Sequence, residues 1–435
     1  MNNFQTILVA VFLAFFVFAV LIFSGILKIG NSSSSNGPVG KVVIWGTFDY
    51  TPELSKVFED INTNNRNLNI SYVKKDSATY EQSLIESFAS GTGPDLFIIT
   101  PDMVQKFNKF IYKIPFTSYP EKTFRDSFID GADVYLSSDG SWGFPITVDP
   151  MVMYYNKDLL SNEGIVSPPK YWDELFNLSS KLNKRKSDGS IQQSMISLGR
   201  YDNINNSKSI LATLLLQSGN PIVSYDGTNY IPVLDENTAS LPISPIKQIL
   251  NFFVEFSNPS DNAYSWNRSL PNSIDMFTSG KLAMYLGQAS ELFKIQSTNP
   301  NLSFDVTQIL QTRGTNNIRT YGNIYALAVN KKSPNITAAF GVAGMLSSGD
   351  NAKNINIALS LPPASKSLLA SKPTNNPYLY TFFDSAIISR TWADPDSKLS
   401  DAIFAELIQN VISNKLSVDD AISKAQGQLE SITTK

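Results

Sequence analysis

Carboxylates and aromatic rings are the side chains with which this sequence could do chemistry, because histidine and cysteine are both absent. Without them the chain cannot build a Ser-His-Asp triad, a cysteine nucleophile, a disulfide or a Cys zinc site. Paired Asp or Glu residues could still cleave a glycosidic bond, and oxygen atoms could still ligate Ca²⁺ or Mg²⁺. Such carboxylates need only accept hydrogen bonds from a ligand, so we expect no enzyme, no catalytic residue, no metal and no cofactor.

The first candidate binding residues follow a β-rich run, Lys41–Gly46 (KVVIWG). Phe48 and Asp49 lie just beyond its carboxyl end, which is where open α/β sheets bind ligands. We therefore expect both to contact a ligand. The alternative for Asp49 is a carboxylate in a surface turn or at the start of a helix.

Predicted strands and helices alternate along the chain, which indicates an α/β fold. The run at Leu96–Ile99 (LFII) is typical of a buried strand, and Ser77–Ser90 has its apolar residues on one helical face. Further predicted elements are strands at 69–73, 151–155, 304–309 and 325–329 and helices at 172–182, 246–256, 400–413 and 418–432.

Length and charge narrow the class of protein. A chain of 435 residues is long enough for at least two domains. Its 35 basic and 38 acidic residues include no extended basic block, so we expect no nucleic-acid partner.

The N-terminal segment Ile7–Leu27 carries no charge for 21 residues, enough for a helix to cross a ~30 Å hydrocarbon layer. No Lys or Arg precedes it, and bulky residues stand where a signal peptidase needs small ones. We therefore expect residues 1–28 to be a single-pass membrane anchor, or an uncleaved signal, and residues 29–40 to be a flexible linker rich in Ser, Asn and Gly.

Several motifs between Lys41 and Ile432 occur in the order known from one family. They are KVVIWGTFDY, SFASGTGPDLFII, GFPITVDPMVMYYNKDLL (Gly143–Leu160) and MFTSGKLAMYLG (Met276–Gly287). Together they resemble the extracellular solute-binding proteins of ABC importers, in the family that includes the maltose-binding protein. The third motif is the most specific of the set.

This resemblance implies a two-lobed periplasmic-binding-protein-like fold (type II), with a hinge that closes the lobes over a ligand. Residues 41–149 plus 304–352 would form lobe 1, and residues 150–303 plus 353–435 would form lobe 2. The chain would cross between lobes near Asp149, near Phe304 and within 350–355. Pro145 and Pro150 agree with the first crossing, because the segment that they bracket cannot be an ordinary helix.

The resemblance also supplies candidate binding residues. Asp102 and Asp149 align with sugar-binding carboxylates of the family, while Gln217, Tyr321 and Trp392 are candidates by family position. Gln288 and Ser290 follow the GKLAM strand and would face the cleft. The maltose-binding protein has a sugar-stacking Trp at the position of Ser290, which argues against maltodextrin as the ligand.

The expected function is that of a receptor outside the cytoplasmic membrane, anchored in the cell membrane by its N-terminal helix. It would deliver a small polar solute, most simply a carbohydrate, to ABC permease subunits. The alternatives are a receptor for a non-sugar solute, a binding subunit for a sensor kinase, and a carboxylate-based glycoside hydrolase.

Overall fold

The computed structural model describes residues 38–236, 244–373 and 376–433. The predicted membrane segment Ile7–Leu27 and most of the predicted linker lie outside these ranges. Among the residues described, none of the helices combines the length and the apolar character needed to cross a bilayer.

The strands are mostly short, with one long exception. They are β1 Gly40–Gly46, β2 Leu68–Lys74, β3 Leu96–Ile99, β4 Ile114–Pro115, β5 Gly140–Ser141, β6 Phe144–Asn156, β7 Lys184–Arg185, β8 Ile191–Ile196, β9 Val223–Tyr225, β10 Tyr230–Pro232, β11 Leu282–Gln288, β12 Phe304–Gln308, β13 Thr320–Val329 and β14 Ser389–Arg390.

The α-helices separate and cover these strands. They are α1 Pro52–Asn64, α2 Tyr80–Ser90, α3 Val104–Phe107, α4 Glu121–Ser127, α5 Lys157–Asn162, α6 Glu174–Leu182, α7 Ser207–Ser218, α8 Pro245–Glu255, α9 Ser273–Thr278, α10 Leu292–Thr298, α11 Ile336–Leu346, α12 Gly349–Leu359, α13 Lys366–Leu369, α14 Pro377–Ile387, α15 Ser397–Ile412 and α16 Val418–Thr433.

The first strand–helix unit shows how the sequence sets these elements. The Thr51 side chain accepts a hydrogen bond from the backbone N–H of Leu54, and Pro52 occupies the first turn, so α1 has a capped start. Leu54, Phe58 and Ile61 recur at helical spacing and are all buried. The same face therefore packs α1 onto the sheet.

Strand β6 connects two halves of one sheet. Its first part, as far as Pro150, pairs antiparallel with β13, and its second part pairs with β11 on one side and β12 on the other. The strand order is β2-β1-β3-β13-β6-β11-β8-β7. The segment predicted as a crossover is thus a continuous extended strand that belongs to both halves.

Two hydrophobic clusters pack on the two halves of this sheet. The first cluster contains β1, β3 and the early part of β6, with Val42, Phe97 and Val148 fully buried. The second contains the later part of β6, α7 and α15, including the fully buried Trp266. We call the parts of the chain packed around them the first and second lobes, which confirms a two-lobed α/β fold.

The chain passes between these clusters more than once after β6. Strand β12 packs in the second cluster, β13 largely in the first, and Ile355 and Leu369 also pack in the first. Residues from Trp392 onward pack in the second cluster. The lobe boundaries given above, at 149/150, 303/304 and 352/353, stay predictions.

Candidate ligand-binding cleft

Asp102 follows β3 in the first lobe and is half-buried, and its carboxylate accepts a hydrogen bond from Thr100 Oγ1. Burial raises the pKa of Tyr321 and Tyr325 on β13, and the nearby charge of Asp102 adds to both shifts. Burial also raises the pKa of Asp394, again with a contribution from Asp102. The charge of Asp102 therefore acts on three side chains that come from other elements of the fold.

Asp149 belongs to the same region but is more deeply buried, with 2% of its surface exposed. Its Oδ1 accepts a hydrogen bond from the backbone N–H of Ser290, with N···O at 2.9 Å. Burial raises the pKa of Asp149 to about 7, and the hydrogen bonds from Ser290 oppose that rise. The charge of Asp149 in turn adds to the burial that raises the pKa of Tyr325. We call Asp102, Asp149, Tyr321, Tyr325 and Asp394 the cleft group.

The polar face of β13 supplies the tyrosines of this group. Tyr321, Asn323 and Tyr325 are half-buried, while the residues between them are buried, as expected for a strand whose side chains alternate between faces. Asn323 lies opposite Asp149 in the β6–β13 pairing and its Nδ2 donates to the Tyr325 hydroxyl at 3.3 Å. The Phe48 ring lies 4.8 Å from that of Tyr325, between centroids.

Phe48 also shows that this region lies between the lobes. It packs against both hydrophobic clusters, as do Val134 and Leu359. The prediction placed Phe48 at the carboxyl end of a strand, and the structure brings it to the cleft group from β1. Its contact with a ligand stays a prediction.

The turn after β11 meets Asp149 through Ser290. Gln288 caps the short turn Ala289–Glu291, and its backbone N–H donates to Glu291 Oε2 at 3.0 Å. This turn aims the backbone N–H of Ser290 at the Asp149 carboxylate, while the Ser290 side chain stays exposed. Ser290 therefore borders Asp149, and Gln288 caps the turn that positions Ser290.

Asp49 and Trp392 stand apart from the cleft group in this conformation. The Asp49 side chain is 77% exposed and forms an ion pair with Lys74. Trp392 is buried in the second cluster, where its ring packs edge-on against Phe404. Trp392 is nevertheless two residues from Asp394, so its segment borders the site.

Gln217 is fully buried, and its amide bonds to the protein. Its Oε1 accepts from Trp172 Nε1 at 2.8 Å, and its Nε2 donates to the carbonyl oxygens of Leu310 and Arg319. These bonds tie α7 to the connection between β12 and β13. Gln217 can contact a ligand only if they break.

Asp394, Tyr325 and Asn323 are the cleft residues that the sequence reasoning missed. Asp394 Oδ2 accepts hydrogen bonds from Lys208 Nζ at 2.9 Å and from Ser400 Oγ at 2.8 Å, and these partners compensate its burial. The signal for β13 was the alternation in TYGNIY, where every second residue is polar or aromatic. Nothing local marks Asp394, because its partners are distant in sequence.

The two lobes also touch beside Asp102. Gln105 Nε2 donates to the backbone carbonyl of Ala393 at 2.9 Å, and Lys106 forms ion pairs with both Glu81 and Asp396 at 2.8 Å. Lys106 lies in the first lobe, and Asp396 caps the N-terminus of α15 in the second. These contacts join the lobes at the edge of the cleft.

The cleft group can therefore offer a ligand two kinds of interaction. Its carboxylates and phenol groups can accept or donate hydrogen bonds, and the rings of Phe48, Tyr321 and Tyr325 can cover apolar faces. Sites that bind small polar molecules combine these two features.

Relatives in other organisms match parts of the chain. A binding protein of Brucella abortus is 34% identical over 140 residues, which cover 31% of this chain and 33% of that protein. A maltotriose-binding protein of Pyrococcus abyssi is 28% identical over 145 residues, covering 33% of this chain and 30% of that protein. These matches thus span about one third of each relative's length.

Solved structures match nearly the whole chain. A cyclo/maltodextrin-binding protein complexed with maltotetraose superposes with a TM-score of 0.72 at 18% identity, covering 92% of this chain and 98% of that one. A maltose/maltodextrin-binding domain from Bdellovibrio bacteriovorus bound to maltotriose gives a TM-score of 0.66 at 16% identity, covering 91% and 100%. At such identities the likeness establishes the fold, and it is the two-lobed fold of these proteins.

The sequence profile of one family matches residues 49–353, which is most of the chain. That family and the similar structures are solute-binding proteins and not enzymes, so the hydrolase alternative falls. The chain belongs to the bacterial extracellular solute-binding proteins.

Proposed function

We propose that this chain is a membrane-anchored extracytoplasmic receptor that binds a carbohydrate in its cleft and delivers it to the permease of an ABC transporter. The observation that carries the proposal is the cleft group itself, in which the charge of the buried Asp149 acts on Tyr325, and the Tyr325 ring packs against Phe48 between the two lobes. Family membership supports the extracytoplasmic setting.

A sugar fits this combination of groups better than an ion does. Its hydroxyls can donate to Asp102 and Asp149, while its C–H faces can pack on aromatic rings. Similar structures hold maltotetraose and maltotriose, which supports a carbohydrate in the same cleft. Ser290, which is small and exposed, offers no ring for stacking, so the proposal names the class of ligand and no particular maltodextrin.

Binding would act by closing the lobes. A ligand shifts the balance toward a closed form only as far as it contacts both lobes. Asp102, in the first lobe, together with Ser290 and Asp394, in the second, would make those contacts. The proposed site also includes Phe48, Asp49, Gln288, Tyr321 and Trp392. Gln217 supports the site through the hydrogen bonds that tie α7 to the connection between β12 and β13.

The anchor is a separate part of the proposal. We expect residues 7–27 to hold the receptor in the membrane, because a run of 21 uncharged residues prefers hydrocarbon to water. Alkaline carbonate extraction of membranes tests it. The full chain should stay in the pellet and a chain beginning at residue 41 should not, whereas release of both would refute the anchor.

A thermal-shift screen of residues 41–435 tests the binding function. The panel contains mono- and oligosaccharides, sugar alcohols, polyamines and organic acids. A ligand present at ~100 times its dissociation constant should add ~2.7 kcal/mol to the free energy of unfolding. We expect the response to come from a sugar, and a response only to an amine or an acid would refute the carbohydrate proposal while keeping the receptor.

Two matched variants locate the response. Asp102→Asn removes a charge from the cleft group and should weaken sugar binding roughly tenfold or more, because hydrogen bonds to charged groups contribute ~1.5–3 kcal/mol. Asp139→Asn changes an exposed carboxylate that pairs with Lys113 in the same lobe, and it should leave binding unchanged. Equal effects of the two variants would place the ligand elsewhere.

A further inference from the structure

A cavity lies beside the cleft group, between the 3-10 turn Asp130–Tyr135 and the hairpin formed by β9 and β10. Its volume is about 170 Å³. Leu136 on one wall belongs to the first hydrophobic cluster, and Val223 and Trp392 on the other belong to the second. The cavity is therefore lined by both lobes, as the cleft is.

One segment forms a wall of both the cavity and the cleft. Arg390 lines the cavity and pairs in β14 with Tyr321 of the cleft group. Ala393 also lines the cavity, and its carbonyl oxygen accepts the hydrogen bond from Gln105. The next residue, Asp394, is itself in the cleft group. A ligand that extends past Tyr321 would thus reach this cavity.

The walls of the cavity are apolar and aromatic. Tyr225 and Tyr230 face each other across the hairpin with ring centroids 4.7 Å apart, and Tyr225 is 39% exposed. Leu136, Val223 and Trp392 supply the remaining apolar surface. An exposed aromatic ring beside an apolar wall is a surface on which the C–H face of a sugar ring can pack.

The charges at the rim of the cavity are already paired. Asp130 forms ion pairs with Arg390 at 2.7 Å and with Lys366 at 3.0 Å, and Asp133 forms one with Arg125. Because each acid has a basic partner, the rim favours a neutral polar ligand over an anion or a cation. The same carboxylates and the Arg390 guanidinium still have edges that can bond to hydroxyl groups.

We infer that this cavity is an additional sugar subsite, with Tyr225 as its stacking platform, and that the ligand is a neutral oligosaccharide spanning the cleft group and the cavity. The inference rests on the proposed carbohydrate-binding function. It predicts that affinity rises with the length of the sugar until the chain reaches Tyr225.

Calorimetric titration of the full-length chain with two oligosaccharide ladders tests the subsite, one of α-1,4-linked and one of β-1,4-linked glucose units. Affinity should rise with length along one ladder and then level off. Tyr225→Ala should weaken binding of the longest sugars roughly threefold to tenfold, the usual range for an aromatic contact, and leave the shortest binding sugar unchanged. Tyr225→Phe keeps the ring and should bind as the wild type does.

Tyr380→Ala serves as the matched control, because Tyr380 is also an exposed aromatic residue, on α14. It should not change the dependence on length. Binding that does not vary with sugar length, or a loss in Tyr225→Ala that is equal for short and long sugars, would overturn the subsite but leave the receptor in place. If no sugar of either ladder binds the wild type, the subsite for a glucose oligosaccharide fails, whereas the carbohydrate function fails only if no sugar of the thermal-shift panel gives a response either.

Discussion

Asp149 should make the protein less stable at neutral pH than at mildly acidic pH. Burial raises its pKa from 3.8 to about 7, so between these values the folded chain keeps a proton that the unfolded chain releases. The stability that this group contributes is therefore greatest below about pH 4, declines as the pH rises, and is fully lost once the pH has passed about 7. At ~1.4 kcal/mol for each pKa unit, the loss is on the order of 4 kcal/mol.

The substitution Asp149→Asn should remove this loss. Asn keeps an oxygen that can accept the hydrogen bond from the Ser290 backbone, but it cannot ionise. We expect the variant to be more stable than the wild type above about pH 7, and similar to it near pH 4. It should also bind sugar more weakly, because a carboxylate accepts stronger hydrogen bonds than an amide does.

Urea unfolding of the two proteins at several pH values between about 4 and 8 measures the difference. Glu291 and Asp394 also have pKa values raised by burial, so the variant should keep a smaller slope of the same sign. Asp139→Asn, an exposed carboxyl, should keep the wild-type slope between about pH 5 and 7. If Asp149→Asn shows the full wild-type slope, or is less stable at every pH, the reasoning about Asp149 is wrong.

Two further predictions concern an ion pair between the lobes and the packing around β13. Lys106→Met removes an ion pair between the lobes and should weaken sugar binding roughly threefold, through faster dissociation, since exposed ion pairs contribute up to ~1 kcal/mol. The control Lys113→Met removes an ion pair within one lobe and should bind sugar as the wild type does. Equal affinities of the two variants, measured by calorimetry, would contradict this prediction. Gly322→Ala would place a Cβ 2.6 Å from Ser389 Oγ and should lower the free energy of unfolding, measured with urea, by about 1–3 kcal/mol. In Gly344→Ala the added Cβ meets nothing within 4 Å, so this variant should not destabilise the protein. Similar losses of stability in both variants would refute the packing argument.

Secondary structure could be predicted from the sequence where apolar residues form a continuous run or recur at regular spacing. Leu96–Ile99 is the buried strand that its four apolar residues predict. The helix predicted at 400–413 instead begins at Ser397, because the Asp396 side chain accepts hydrogen bonds from the backbone N–H groups of Lys398 and Leu399. The prediction followed the apolar residues and overlooked this N-cap.

Strand β6 shows why only part of the sheet could be predicted from local sequence patterns. The sequence predicts a strand at 151–155, preceded by a crossing between the lobes in the segment that Pro145 and Pro150 bracket. The observed strand runs through both prolines: Pro150 lies opposite Gly322, and Pro145 pairs where the register shifts next to Ala326. The irregular pairing accommodates the missing donor of Pro145, and this arrangement depends on residues of a distant strand.

The residues of the cleft could be identified only from family resemblance and from the tertiary structure. The charges of Asp102 and Asp149 both act on Tyr325, but Asp394 could not be foreseen, because its burial is compensated by Lys208 from the distant helix α7. Gln217 appeared to be a binding residue by its position, yet its amide is held by Trp172 and two backbone carbonyls. Hydrogen bonds of this kind connect residues far apart in sequence, so local patterns do not reveal them.

Small-angle X-ray scattering of residues 41–435, with and without the sugar that gives the largest thermal shift, tests the central claim most directly. A receptor that closes its lobes on a carbohydrate should have a smaller radius of gyration when the sugar is bound, and Asp102→Asn should need a higher sugar concentration for the same change. Sugar binding at a constant radius of gyration would contradict closure of the lobes, and failure of every carbohydrate to bind would contradict the claim as a whole.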